Sequence, residues 1–314
     1  MSTLYNAVDL NALPMAEVLE SKSFDDIFRE MLVSFQEKFP EFNAKLESDP
    51  VYKLLEVAAY REMLVRQRVN DAARATMLAY ATGADLDNLA ALVGVKRKVY
   101  VEEDKTARPP VDAVLENDDD LKKRILLAPE AITTAGSTGS YKFHALNAKK
   151  QKVIEQNGKQ VSKEVSAGVY DVAVKSLSPG VVTVAVLLFS GANETDRNKA
   201  KQAVVKALNT EKVRPLTDSV MVQVVNPQAY SIKAVLKLKT GAIQSEVKAK
   251  AEKMLKAYAK NCRKLGETVA ISGIYSALHK VQDVVNAELK APTQNLSAVW
   301  NSAYELNEIK IDFK

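Results

Sequence analysis

The side chains that most often carry acid–base or nucleophilic chemistry are scarce in this sequence. It contains two histidines, His144 and His279, and a single cysteine, Cys262. A thiol beside an imidazole can act as a nucleophile, so Cys262 with His279 is one arrangement to consider. Cys262, however, ends a predicted helix within a basic run and has no glycine-rich segment beside it for an oxyanion hole. We therefore interpret these three residues as packing or capping residues and predict no enzyme.

Metal, cofactor and phosphate sites are not predicted either. The sequence has no cysteines or histidines at ligand spacing, and the acidic triplet 118–120 lacks the glycine and spaced ligands of a calcium loop. Residues 135–140, AGSTGS, are not followed by the Gly-Lys-Ser/Thr of a phosphate-binding loop. We interpret them as a loop that leads into a helix, with anion binding at the helix amino terminus as the alternative.

One set of charges is regular enough to form a surface. Lys253, Lys256 and Lys260 lie at helical spacing in the predicted basic helix 244–264 and should form a stripe along it. Such a stripe is either a solvated face or a face that docks an acidic neighbour. Nucleic-acid binding through this helix is the alternative function, but aromatic residues for base stacking are missing apart from Tyr258 on the apolar side.

Composition and charge narrow the class of protein further. With 314 residues, of which 47% are hydrophobic, the chain is long enough for two or three domains with buried cores. A single cysteine excludes an intramolecular disulfide and fits synthesis in a reducing cytoplasm. The first residues do not resemble a cleaved signal peptide, and no apolar run approaches the ~20 residues that span a bilayer. The net charge of +5 permits acidic partners without requiring nucleic acid.

The elements that would position these residues begin with two helices. Between Phe24 and Phe39, apolar residues recur every three or four positions, and Pro40 ends that helix. A much longer helix follows, with Asp49 as its N-cap and Pro50 at its first position.

The long helix is predicted to continue as far as Gly83. No other proline or glycine interrupts it, so it should span about 50 Å at ~1.5 Å per residue, with Gly83 at its C-cap. A shorter helix, capped by Asp85 and ended by Gly94, comes next. The apolar and alanine positions of the long helix broadly follow helical spacing: Val51, Leu54, Leu55, Ala58, Val65, Val69, Ala72, Ala73 and Met77.

This long helix is the predicted site of contact with a partner chain. Its apolar stripe is too long for so small a helical domain to bury alone. Candidate contact residues are Leu55 and Val69 from the stripe, together with Arg61, Arg66 and Arg68 from the charged positions. We expect the helix to pack in a bundle with a neighbouring chain.

The region after the helices is predicted to begin with an irregular segment and to continue with short helices and strands. Two adjacent prolines and an acidic run make residues 99–120 the best candidate for a linker. Short helices are predicted over 119–128 and 139–146. The lysine-rich segment 147–168 carries Asn157-Gly158 between apolar residues, which predicts a hairpin turn.

From Tyr170 onward, strands and helices alternate. Val181–Phe189 is almost wholly apolar, as a buried central strand is, while alternation in Ser231–Lys239 indicates a strand with one buried face. The remaining predicted elements are helices over 200–208, 244–261 and 271–278, and strands over 219–225, 283–289 and 304–313.

Two segments in this region match in residue type, Arg214–Val220 and Arg263–Val269. Each follows a helix and leads into a β-prone stretch, which favours a duplicated unit. The sequence thus predicts an α+β, multidomain fold. An N-terminal helical domain with one long helix, residues 1–98, precedes two small α+β domains that look duplicated, residues 121–226 and 227–314.

Four segments, in collinear order over nearly the whole chain, resemble the baseplate J-like proteins. These are wedge components of contractile phage tails and related contractile injection systems. The segments are Leu54–Ala75 (LLEVAAYREMLVRQRVNDAARA), Ala79–Val95 (AYATGADLDNLAALVGV), Ala135–Leu146 (AGSTGSYKFHAL) and Ser176–Leu187 (SLSPGVVTVAVL). None of the four segments is a catalytic or ligand-binding motif, so the resemblance rests on their collinear order along the chain. This connection is usually shorter in the family pattern, so we interpret the extra length of segment 147–168 as a local elaboration.

The resemblance implies a structural role. It implies a baseplate wedge subunit, made in the bacterial cytoplasm, that joins other copies of itself and other wedge proteins in a six-fold ring. That ring would surround the central hub and spike and transmit the signal for sheath contraction in a virion or an equivalent contractile particle. From the residues themselves, we predict no cofactor and no membrane partner, and nucleic acid is not favoured as a partner.

Overall fold

The chain has a mixed α+β, multidomain fold, as predicted. The computed structural model describes residues 8–14, 20–42, 49–103, 108–133, 136–156, 159–211 and 213–314. Contacts divide the chain into two compact units, residues 1–97 with 116–126, and residues 98–115 with 127–314. Among the described residues, no helix is both long and apolar enough to cross a membrane.

The smaller unit is helical. Its helices are α1 (Phe24–Lys38), α2 (Pro50–Ala75), α3 (Gly83–Leu92) and most of α4 (Asp118–Leu127). The predicted start of α2 is confirmed, because the Asp49 carboxylate accepts a hydrogen bond from the Val51 N–H at 2.8 Å. α1 packs on α2, where the rings of Phe28 and Tyr52 meet edge-on with centroids 4.7 Å apart.

The long helix is shorter than predicted. α2 ends at Ala75 after 26 residues, a length of about 39 Å at ~1.5 Å per residue. Thr76 ends it without proline or glycine, because its hydroxyl donates to the Ala73 carbonyl at 2.8 Å and its N–H bonds to the same carbonyl. Gly83 has a positive φ of 54°, but it is the first residue of α3 rather than the C-cap of α2.

The region around α3 differs from the sequence prediction in two further respects. Asp85 lies in the first turn of α3 and does not cap it, since Thr82 occupies the N-cap position. The segment 99–120 contains a short antiparallel strand pair, β1 (Val99–Val101) with β2 (Val114–Leu115), and α4 begins at Asp118.

Charged side chains join α4 to α3. Arg124, only 4% exposed, donates to both oxygens of the Glu116 carboxylate at 2.8 and 2.7 Å. Arg97 pairs with Asp87 at 2.8 Å and with Asp118 at 2.7 Å. The Arg97 pairs connect α3 to the start of α4. The Arg124–Glu116 pair is buried, so the loss of either partner would be strongly destabilising.

The larger unit contains two three-stranded sheets. In the first, β5 (Val169–Ser178) is antiparallel to β6 (Val181–Leu188), and β6 is parallel to β7 (Ser219–Val225). Helices α5 (Thr138–Leu146) and α6 (Glu194–Leu208) contact the sheet. Helix and strand residues form its core: Tyr141, Leu146, Val169, Val172, Val184, Val186, Val204 and Leu208.

The lysine-rich segment forms a hairpin, as predicted. β3 (Lys149–Gln156) and β4 (Lys159–Ser166) are antiparallel, and Gln156 pairs with Lys159, so two residues connect them. Those two residues, 157–158, lie outside the described residues. The base of the hairpin is tied to α6 by an ion pair between Lys150 and Asp196, with a nitrogen–oxygen distance of 3.1 Å.

The second sheet has β8 (Gln228–Leu238) at its centre. β9 (Val284–Ala291) is antiparallel to β8, and β10 (Tyr304–Phe313) is parallel to it. The predicted alternation in β8 is confirmed, because Ile232, Ala234 and Leu236 are buried while Lys233 and Lys237 are exposed. Helices α7 (Gln244–Cys262) and α8 (Ile271–His279) complete this core.

The two sheets differ in the order of their strands along the chain. In each, the central strand has one parallel and one antiparallel neighbour, but the antiparallel strand precedes the centre in the first sheet and follows it in the second. Accordingly, Arg214–Val220 leads into β7, whereas Arg263–Val269 leads into α8. The similarity between these segments therefore does not extend to strand order.

Candidate assembly surfaces

α2 buries little of its surface within the chain. Along this helix, all of which the structure describes, only Ala59 and Asn70 are buried. Tyr52 lies seven residues before Ala59, on the same helical face, and contacts α1 through Phe28. The face centred on Ala59 is therefore the inner face of α2.

The opposite face of α2 carries exposed aliphatic side chains. Leu54, Val57 and Val65 are 68%, 60% and 61% exposed, and their spacing places them on one side of the helix. The surface termed here the α2 stripe consists of Leu54, Val57, Ala58, Leu64, Val65, Val69 and Ala72, all of them exposed. A continuous apolar row of this kind on an exposed helix face is typical of a surface that contacts another protein.

The two apolar candidates from the sequence lie in different environments. Val69 belongs to the α2 stripe. Leu55 is half-buried and lies four residues before Ala59, on the inner face. Leu54, one residue earlier, points to the exposed side and is the better placed of the two for a partner contact.

The three arginine candidates also separate by environment. Arg66 is half-buried and its Nε donates to Glu62 at 2.8 Å, an i,i+4 pair within α2. Arg61 and Arg68 are exposed on the side of the α2 stripe, and within the described part of the chain neither forms an ion pair. Arg61 and Arg68 therefore add two positive charges beside the α2 stripe.

Sequence reasoning missed part of this surface. Val57 and Leu64 are exposed members of the α2 stripe, but the predicted apolar positions did not include them. The sequence could have indicated both residues, because they lie three and ten positions after Leu54 and therefore on the same face of the helix.

The predicted lysine stripe is present on α7. Lys253, Lys256 and Lys260 are exposed, and none of them forms an ion pair with another described residue. The inner face of α7 is apolar, whereas Met254 is 41% exposed and lies outside this face. Its buried members are Val247, Ala251, Leu255, Ala259 and Cys262.

Cys262 and His279 do not form a nucleophilic pair. Cys262 is buried in the core of the second sheet, whereas His279 is exposed at the end of α8. Burial raises the pKa of the Cys262 thiol, which keeps it protonated and weakens it as a nucleophile. This environment is that of a packing residue.

The glycine- and serine-rich loop packs against acidic residues. The Ser137 hydroxyl accepts a hydrogen bond from the Ser140 N–H at 3.0 Å and lies 2.6 Å from the Glu130 carboxylate. The Tyr141 hydroxyl donates to Asp218 at 2.7 Å, and burial together with this bond raises the pKa of Tyr141. Carboxylates beside this helix amino terminus oppose the binding of a second anion.

His144 packs within the first α+β part. Its ring meets that of Phe143 edge-on at 5.5 Å, and burial lowers the pKa of His144. Its Nε2 has no hydrogen-bond partner among the described residues. Across the same residues, no three His, Cys, Asp or Glu side chains converge as a metal site would require.

Comparison with known proteins identifies two family domains and a relative. The baseplate J-like N-terminal domain matches residues 47–104, and the baseplate J-like protein C-terminal domain matches residues 230–308. The chain is 39% identical over 297 residues to baseplate protein J of Escherichia phage P2, a match that covers 92% of each chain. The first domain match includes all of α2, and the second includes α7. The chain therefore belongs to the baseplate J-like protein family.

Proposed function

We propose that this chain is a structural subunit of a phage-tail baseplate and that it contacts a neighbouring subunit through the α2 stripe. The exposed aliphatic row on α2 carries this proposal, because it lies within the segment that matches the family's N-terminal domain. Burying Leu54, Val57 and Val65 against a neighbour would stabilise the contact by about 1.5–3 kcal/mol for each side chain.

The finer part of the proposal concerns the assembly. The chain would be a wedge subunit of a contractile tail, in a six-fold ring around the hub and spike, with other copies of itself and other wedge proteins as partners. It would be made in the bacterial cytoplasm, assembled into the tail baseplate, and would transmit the trigger for sheath contraction. The family membership and the collinear match to a baseplate protein support this assignment.

The lysine stripe on α7 would contribute a second, electrostatic contact. Lys253, Lys256 and Lys260 are exposed on one helix face and have no acidic partner among the described residues. We propose that they dock an acidic surface of a baseplate neighbour. Duplex DNA is the alternative partner of the same chemistry, and it predicts an affinity that falls steeply with salt.

Light scattering tests the proposed function directly. The purified chain would be measured alone and after co-expression with the tail proteins encoded beside it. We expect a higher oligomer or a stable complex with at least one of those proteins. A chain that stays monomeric in their presence would contradict the proposed function. Electron microscopy of the resulting complexes would then test the six-fold ring.

A further inference from the structure

The outer edge of β7 is open among the residues that the structure describes. Within them, β7 pairs only with β6, in parallel, and forms one end of the β5-β6-β7 sheet. In a parallel pair, alternate residues direct both N–H and C=O to the same side. The Ser219 N–H donates to the Gly180 carbonyl on the β6 side, so Val220, Val222 and Val224 direct their backbone groups to the open edge.

A groove runs between this edge and α6. A depression of about 270 Å³ has lining residues from both the strand and the helix, and an adjoining depression of about 450 Å³, lined by α6 alone, shares Asn198 and Lys201 with it. The surface termed here the β7–α6 groove comprises both depressions: Glu194, Arg197, Asn198 and Lys201 lie beside the strand, and Gln202, Val205 and Lys206 extend the surface along α6. On the strand side it is lined by Val222 and Val224, which also pack against the core of this sheet.

The chemistry of the groove specifies an extended, acidic occupant. An open strand edge beside a helix binds an extended backbone by adding it to the sheet, while side-chain contacts select the sequence. The helix side supplies Arg197, Lys201 and Lys206, whereas Glu194 is the single lining carboxylate among the described residues. Lys201 and Lys206 form no ion pair within the described residues.

A second copy of this chain does not fit this edge. Pairing β7 with β7 of another copy would bring two α6 helices, each with Arg197 and Lys201 beside the edge, toward one another. Like charges at that distance oppose pairing, and lysines near an edge strand commonly prevent such association. The occupant is therefore a different chain.

We propose that an extended segment of another baseplate protein, carrying carboxylate side chains, adds to β7 as a fourth strand and lies in the β7–α6 groove. This proposal rests on the proposed function, because it takes the partner from the same assembly. The valines supply an apolar floor, and the lysines pair with the carboxylates of the added strand.

Site-specific photo-crosslinking in purified tail particles tests this proposal. The photoreactive residue p-benzoylphenylalanine would replace Gln202, which lines the groove, or Lys199, which is exposed on α6 outside the groove. We expect an adduct from position 202 but not from position 199. Mass spectrometry should place the adduct in an extended segment of a different tail protein, with at least two carboxylates near the cross-link.

Charge-reversal variants and hydrogen exchange sharpen the result. Lys201→Glu combined with Lys206→Glu should reduce the adduct at least about tenfold, while Lys199→Glu should leave it unchanged. The amides of Val220, Val222 and Val224 should exchange at least about tenfold more slowly in particles than in the isolated chain, because the added strand would bond to them.

The outcomes separate this proposal from the proposed function. If particles contain the chain but position 202 yields no adduct, or an adduct with a second copy or with a helix, the strand-addition proposal is wrong and the baseplate role stands. If the chain is absent from tail particles, both the proposed function and the groove proposal fail.

Discussion

The two long helices of this protein have similar sequence patterns and different partners. α2 and α7 each carry an apolar stripe at helical spacing and charged residues elsewhere. α7 buries Val247, Ala251, Leu255 and Cys262 in the core formed with its own sheet and α8, and Ala259 is buried as well. α2, although longer, buries only Ala59 and Asn70 along its fully described length. Its aliphatic row faces outward instead.

This difference shows what an amphipathic pattern does and does not specify. Periodicity identifies which residues share a helix face, but the partner of that face depends on the rest of the fold. α7 is covered on its apolar face and exposes lysines, whereas α2 exposes apolar side chains and two arginines. α7 therefore contributes mainly to folding, and we infer that α2 contributes mainly to assembly.

The largest expected effect is the loss of a core side chain from α7. Leu255 is fully buried, so Leu255→Ala should lower the free energy of unfolding by about 2–5 kcal/mol. Leu54→Ala, the same truncation on the exposed side of α2, should change it by less than about 0.5 kcal/mol. Urea denaturation of both variants would measure the contrast. Equal losses of stability would show that α2 is an ordinary core helix.

The reverse contrast is expected for assembly. Leu54→Asp combined with Val65→Asp places two charges in the α2 stripe, where a partner would have to bury them without compensation. We expect the isolated chain to fold normally and complex formation with tail proteins to weaken by at least about 100-fold, or ~2.7 kcal/mol. Light scattering and thermal unfolding would measure both properties.

A matched double variant outside both proposed docking surfaces controls for the added charge. Leu177 and Val285 are exposed apolar residues outside the α2 stripe and away from α7, so Leu177→Asp combined with Val285→Asp should leave assembly intact. Equal loss of assembly in both variants would point to a general effect of surface charge and not to the α2 stripe.

A smaller loss of stability is expected from a substitution at the contact between α7 and α8. A Cβ on Gly273 would lie 2.4 Å from atoms of the Tyr258 ring, whose hydroxyl donates to the Ala270 carbonyl at 2.9 Å. Gly273→Ala should therefore displace the ring and cost about 1–3 kcal/mol of stability. Ser272→Ala, at the exposed neighbouring position, is the control and should be nearly neutral. Near-neutral behaviour of Gly273→Ala would mean that α8 moves away from α7 at little cost.

Much of the fold could be predicted from local sequence signals. The alternation of apolar and charged residues defines β8, and β7 and β10 lie at their predicted residues. The end of α2 could not be predicted, because Thr76 stops it through a side-chain hydrogen bond without any helix-breaking residue. The order of the strands within each sheet could not be predicted either, because it depends on pairing between distant segments and not on the local pattern of apolar and polar residues.

The candidate surfaces were predicted only in part. The spacing of residues on α2 indicated an apolar stripe, but α1 covers the face that contains Ala59 and leaves Leu54, Val57 and Val65 exposed. No local signal shows which face a neighbouring helix covers, so Leu55 was selected although it lies on the inner face. The open edge of β7 depends on sheet order and has no sequence signature of its own.

The smallest expected effect comes from the exposed face of α7. Lys253→Glu, Lys256→Glu and Lys260→Glu together should leave the fold stable, because all three side chains are exposed. Binding to the acidic neighbour should weaken by roughly 1 kcal/mol per lysine at most, and wild-type binding should weaken as salt rises.

The same triple reversal at Lys233, Lys237 and Lys239, exposed on or beside β8, is the matched control. Equal effects of the two triple variants would remove any specific role for the α7 stripe. Tight duplex-DNA binding lost only in the α7 variant would favour nucleic acid as its partner, and α7 would then differ from α2 in the class of molecule it contacts.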